Sequence, residues 1–144
     1  MEKPELVPLR RLVSVTFVCR GGVLLFLEPT VAGLCWLTPG GEVEPGEEDL
    51  VAAKRVLKEK LDLGDEFLGS LRFRRHFCPQ RVEWNGGRYE VTNFLVEVTE
   101  EFTFRFLVGQ KEYGWLNELP SGPTTEWVEI FFLRLRLDGL VSKS

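Results

Sequence analysis

The chain has 144 residues, 44% of them hydrophobic and 28% charged, with a net charge of −4. That is the size of one domain, too apolar for disorder and too acidic for the basic footprint of a duplex nucleic-acid binder, so a small phosphate-bearing molecule is a better expected partner than a long polyanion. Cys19, Cys35 and Cys78 are odd in number and widely spaced, which argues against a zinc clip or a disulfide framework and fits a reduced, cytoplasmic setting.

The first residues, with Glu2, Pro4, Glu5 and Pro8, lack the apolar stretch of a signal peptide, and no run is long enough to span a membrane. Leu12 to Cys19 is largely β-branched and apolar. Arg20-Gly21-Gly22 then separates it from Val23 to Leu27, the pattern of a hairpin of buried strands. A short apolar piece, Leu34 to Leu37, leads into a loop rich in proline and glycine. From about Glu47 to Leu61 the period changes: Leu50, Ala53, Leu57 and Leu61 recur at helical spacing. Glu47, Glu48 and Asp49 crowd the first turn, where the helix dipole favours negative charge. After Gly64 strand-like patterns return, with Leu71 and Phe73 alternating with Arg72 and Arg74, then Asn85-Gly86-Gly87 as a turn before Arg88 to Val98. Phe102, Phe104 and Phe106 alternate with Thr103 and Arg105 as a further half-buried strand. Trp115 to Pro120 ends in a turn, and from Thr124 onward Trp127, Phe131, Arg134 and Leu135 sit at helical spacing, with Gly139 as a stop. The order predicts one α/β domain over 1–144, a mixed sheet covered by two helices.

Pro39-Gly40-Gly41-Glu42-Val43-Glu44-Pro45-Gly46-Glu47, with Arg55 eight residues further on, resembles the opening of a Nudix box. Glu112 to Pro120 is similar to the family's late acidic and tryptophan segment. The resemblance implies the α/β/α sandwich of MutT-like Nudix hydrolases, a magnesium or manganese cofactor and a phosphoanhydride substrate of the nucleoside diphosphate-linked type. It also implies that Arg55 orients a neighbouring glutamate. The second half of the box departs from the family: Arg55-Val56-Leu57-Lys58-Glu59-Lys60-Leu61-Asp62-Leu63 keeps Glu59 alone of the three helix carboxylates.

Splitting a phosphoanhydride needs charge neutralisation and an activated water, which Mg²⁺ held by hard oxygen ligands provides. Helix positions i, i+3 and i+4 share a face, so the family's acids converge; here that face presents Val56, Glu59 and Lys60. Valine ligates nothing. An ammonium about 4 Å from a divalent ion would repel it by about 8 kcal/mol at an effective dielectric of 20. An alternative metal site would need Glu59 with Glu47 or Glu44, and Glu112 is the candidate base. Glu47 reads equally as a loop brace and Glu112 as a surface acid. Arg55 has Glu59 at i+4 as a partner. Gly40, Gly41 and Lys60 form a candidate phosphate-binding edge, with the ammonium standing where a metal would.

Arg72, Arg74 and His76 share one face of a predicted strand, read either as phosphate contacts or as the wet side of an edge. His76 is the only histidine, so a catalytic triad has little support. Trp36, Trp115 and Trp127 read as core; Trp84, near a turn, suits base stacking or a homodimer contact, as the apolar early strands also do. The expected function is a Nudix hydrolase-like protein with weakened, altered or lost hydrolysis. The alternative is a non-enzymatic ligand sensor or protein-interaction module on the same scaffold.

Overall fold

Arg20 and Gly21, with φ of 51° and 82°, close the tight turn between β1 (Leu9–Cys19) and β2 (Gly22–Thr30), as a two-residue hairpin between right-twisted strands requires. The expected hairpin is therefore present, with Val18 opposite Val23 and Cys19 opposite Gly22. This computed structural model describes residues 9–31, 33–76, 80–84, 86–107, 111–118 and 126–141. Cys78, Asn85, Pro120, Thr124 and the side chain of Trp127 lie outside the described residues.

β3 (Gly33–Leu37) runs antiparallel along β2. The glycines read as a loop instead open with a strand, β4 (Gly40–Glu42), which pairs antiparallel with β1 and sets Val13 opposite Gly41. Three residues are too few to show a period in sequence. After α1 (Asp49–Leu61) comes a one-and-a-half-turn helix, α2 (Asp65–Ser70), where strand was expected. It buries only Leu68, which leaves no apolar stripe to read. β5 (Arg74–Arg75) and β6 (Gln80–Trp84) pair with β7 (Gly87–Glu97), which lies parallel to β1. β8 (Tyr113–Leu116) pairs with β2 and, among the described residues, completes a mixed sheet of eight strands.

Side-chain alternation divides the core. Val13, Val15, Phe17, Leu24 and Phe26 pack with Ala52, Ala53, Val56, Leu57 and Leu61 of α1. Val23, Leu25, Leu37 and Leu95 pack with Val128, Phe131, Phe132 and Leu135 of α3 (Glu126–Leu137). The molecule is thus an α/β/α sandwich, and the helix expected at the chain's end stops at Gly139, with φ of 75°. At the end of α1, Asp62 takes the left-handed conformation (φ 53°) with its N–H on the Lys58 carbonyl. Such a position costs a non-glycine residue about 1 kcal/mol.

The expected strand through Phe102 to Phe106 keeps its alternation of burial but, among the described residues, pairs with no strand. Its amides cap the helix instead: Arg105 N–H donates to the Leu61 carbonyl (3.3 Å) and Leu107 N–H to that of Lys60 (3.0 Å). The alternation was real because Phe102, Phe104 and Phe106 pack against the core while Thr103 and Arg105 face out. A period of two reports extended backbone, and a helix end with orphan carbonyls satisfied it here. Trp84 is half-buried against Tyr89, ring centroids 5.9 Å apart, and is not an exposed tip. This indole and much of the early strands are packed within the chain.

Candidate functional site

Arg55 organises the junction between β4 and α1. Its Nε and a terminal nitrogen donate to the two carboxylate oxygens of Glu47 at 2.8 and 3.0 Å, and it also donates to Glu59 Oε2 (3.1 Å) and the Glu42 carbonyl (2.8 Å). The i+4 pair with Glu59 is present, but Glu47 is the principal partner. Glu47 also accepts the Glu44 N–H at 3.0 Å. These hydrogen bonds, Arg55's first and the Glu44 amide's second, hold the Glu47 carboxyl below its ordinary range. The fork-to-fork geometry braces the turn that delivers β4 to the helix.

Asp49, in the first turn of α1, is braced from the sheet side. It accepts from Arg11, from Arg75 at 3.4 Å and from Thr92 at 3.3 Å. This network sets the helix N-terminus on the sheet and was not visible as a pattern in sequence, since its members are 26 to 43 residues apart.

Val56 is 3% exposed and belongs to the core. A Cβ at Gly41 would lie 2.9 and 3.2 Å from its two methyl groups and 3.5 Å from Lys60 Nζ, so the isopropyl group and the amine both press on the β4 backbone. Lys60 Nζ donates to the Gly40 carbonyl at 2.5 Å. Although the residue as a whole is exposed, its amine turns inward; desolvation first, and Lys111 beside it, push its pKa down against the pull of Glu28. Gly41 is committed to β1: with Val15 N–H on the Pro39 carbonyl and Val43 N–H on that of Arg11, ladder alternation makes Val13 and Gly41 a hydrogen-bonded pair. Of the two candidate glycines, only Gly40 turns its polar backbone away from β1.

Gly40 has no room for a side chain, because a Cβ there would sit 2.4 Å from the Val13 carbonyl oxygen. Gly40→Ala should therefore part β4 from β1 and cost about 3 kcal/mol in chemical denaturation. An unchanged denaturation midpoint would contradict this packing.

The carboxylates do not fit a divalent ion. Both oxygens of Glu47 are taken by Arg55, Glu59 is exposed and shares Arg55, and Glu44 is exposed. Glu112 is exposed and lines neither of the clefts described below; its carbonyl accepts the Leu27 N–H at 2.9 Å. Among the described residues no three His, Cys, Asp or Glu side chains converge to share an ion.

Two clefts flank the amine of Lys60 and share Glu28, Gly40 and Lys60. One, of about 140 Å³, lies among Phe26, Val56, Leu57, Leu61 and Phe106. The other, of about 220 Å³, is lined by Ser14, Leu37, Thr38, Gly41 and Trp84 among others. Glu28 and Lys111, which pair at 2.5 Å, are site residues that sequence reasoning missed. The available signals were weak: a lone acid closing the apolar run of β2, and a lysine preceding Glu112.

The arginine and histidine face is a separate place. Arg74 pairs with Glu97 (2.8 Å), Arg75 with Asp49, and His76 Nε2 lies 3.1 Å from Asp138 Oδ2. That contact, with Arg134 adding to it, holds the Asp138 carboxyl below its ordinary range. Arg72 is exposed. Arg74 ties β5 to the sheet, Arg75 ties it to α1 and His76 meets the end of α3, and neither these three nor Arg72 lines the clefts beside Lys60.

No helix among the described residues is long and apolar enough to cross a membrane. Among curated proteins none matches the sequence. Solved structures do match. The MutT protein of Methanosarcina mazei Go1 superposes with a TM-score of 0.71 at 20% identity, over 92% of this chain and 96% of that one. A C. elegans Ap4A hydrolase gives 0.60 at 18% identity (75% and 80% covered), and the E. coli dihydroneopterin triphosphate pyrophosphohydrolase 0.60 at 20% (74% and 79%). At these identities the likeness establishes the fold. The family model described as NUDIX domain matches residues 8–139, nearly the whole chain, and with the sandwich and the braced β4–α1 junction this establishes that the chain belongs to the Nudix family.

Proposed function

We propose that this protein binds a small molecule of the nucleoside diphosphate-linked type through the ammonium of Lys60 at the edge of β4, in a reduced cytoplasmic setting, with metal-dependent hydrolysis weakened or lost. The observation that carries the reading is the placement of the Lys60 amine on the Gly40 carbonyl, beside the buried methyl groups of Val56. An ammonium fixed there supplies a phosphate with the positive charge a metal would otherwise bring. It supplies no activated water, so binding is retained where turnover is not. Two of the related folds are named for Ap4A and dihydroneopterin triphosphate, and polyphosphates of that kind support the ligand class. In this role the protein is a ligand sensor rather than a catalyst.

The reading is tested by assaying nucleoside triphosphates, nucleoside diphosphate sugars and dinucleoside polyphosphates with Mg²⁺ and with Mn²⁺. Hydrolysis is expected at background, and Glu59→Gln should leave it there. Wild-type turnover abolished by Glu59→Gln would show a working metal centre and refute the proposal.

A further inference from the structure

We infer that the smaller cleft beside Lys60 receives a nonpolar group of about five or six carbons carried on the ligand's diphosphate, an inference that rests on phosphate binding by Lys60 as proposed above. The walls are hydrocarbon: Phe26, Val56, Leu57 and Leu61 are each no more than 4% exposed, and Phe106 is held over them by the helix-capping segment. The charged side chains lining it are Lys60, Lys111 and Glu28, and among the described residues no hydroxyl or amide side chain does so. A sugar or second nucleoside placed there would give up its hydrogen bonds to water with nothing to replace them. A hydrocarbon group loses nothing.

Size and charge narrow the ligand further. The cleft's 140 Å³ is close to the roughly 150 Å³ of an apolar cavity that accommodates a benzene ring. Lys111 is neutralised by Glu28 at 2.5 Å, while the one short contact of the Lys60 amine among the described residues is to a neutral carbonyl. One positive charge is left over at the mouth of an apolar space, the complement of an anionic head with a nonpolar substituent. The second cleft has a different chemistry, with the hydroxyls of Ser14 and Thr38 and the indole of Trp84, so the two halves of a diphosphate-bridged molecule are distinguished by what lines their places.

The test is calorimetric titration of the full chain, in EDTA, with monoalkyl diphosphates from methyl to octyl and with inorganic pyrophosphate as reference. Each added methylene should tighten binding about threefold to fourfold up to some six carbons, so hexyl diphosphate should bind about 10² to 10³ times more tightly than methyl diphosphate, with no further gain at octyl. Phe106→Ala should flatten that dependence. If pyrophosphate binds but affinity does not depend on chain length, or ribose 5-diphosphate binds as tightly as pentyl diphosphate, the apolar-substituent inference is wrong and phosphate binding by Lys60 stands. If neither pyrophosphate nor any alkyl diphosphate binds in EDTA, both fall together.

Discussion

Replacing Val56 and Lys60 together by glutamate should give a protein whose hydrolysis of nucleoside diphosphate-linked compounds depends on Mg²⁺ and exceeds the parent's kcat/KM by about 10² to 10⁴. The helix already presents Glu59, and residues 56, 59 and 60 stand at i, i+3 and i+4, so two substitutions restore three carboxylates on one face. The scaffold needs no other change, because Arg55 and Glu47 already brace the approach of β4 to the helix. Val56→Glu alone should gain nothing. Its carboxylate would enter a site only 3% exposed and pair with the Lys60 amine, at a stability cost of about 1 to 3 kcal/mol. Steady-state kinetics on parent, single and double variants checks this; a folded double variant without metal-dependent activity would show that Val56 and Lys60 are not what separates this site from a hydrolytic one.

Lys60→Met should weaken nucleoside diphosphate binding about 10²-fold, and Lys60→Glu at least about 10³-fold, since a unit charge about 4 Å away in a partly solvated site is worth up to about 4 kcal/mol. The pH dependence follows from the same amine. Desolvation lowers its pKa below the ordinary 10.5, so the ammonium is intact below that lowered value and is lost as pH rises through it. Affinity should therefore fall earlier on the alkaline side than an ordinary lysine would dictate, with proton uptake accompanying binding as that pH is approached. Lys60→Arg should keep its affinity through the same range, because guanidinium does not deprotonate there. Equal pH profiles for wild type and Lys60→Arg would contradict the role of the amine.

What could be read in the sequence was whatever repeats over a local period. The α1 stripe, the hairpin around Arg20 and Gly21 and the shared face of Val56, Glu59 and Lys60 all depend on residues within a few positions of one another. What escaped depended on distant meetings. β4 and β8 are three and four residues long and exist because β1 and β2 offer them open edges. The phenylalanine alternation from 102 to 106 specified extended chain but not its partner, and the partner proved to be the end of a helix. Glu28 and Lys111 are 83 positions apart; each alone carries only a weak signal, and their pairing appears only when β2 and the chain before β8 are side by side. The glycines of the box were legible as a constraint but not as a strand, and Gly41's commitment to Val13 follows from pairing register.

Isothermal titration of the wild-type protein with ADP, in the presence of EDTA and again with excess Mg²⁺, distinguishes an ammonium from a divalent ion as the group that holds the ligand's phosphate. The expected result is the same Kd in both, with the EDTA titration lost in Lys60→Met. Binding that vanishes in EDTA and returns with Mg²⁺ would contradict it.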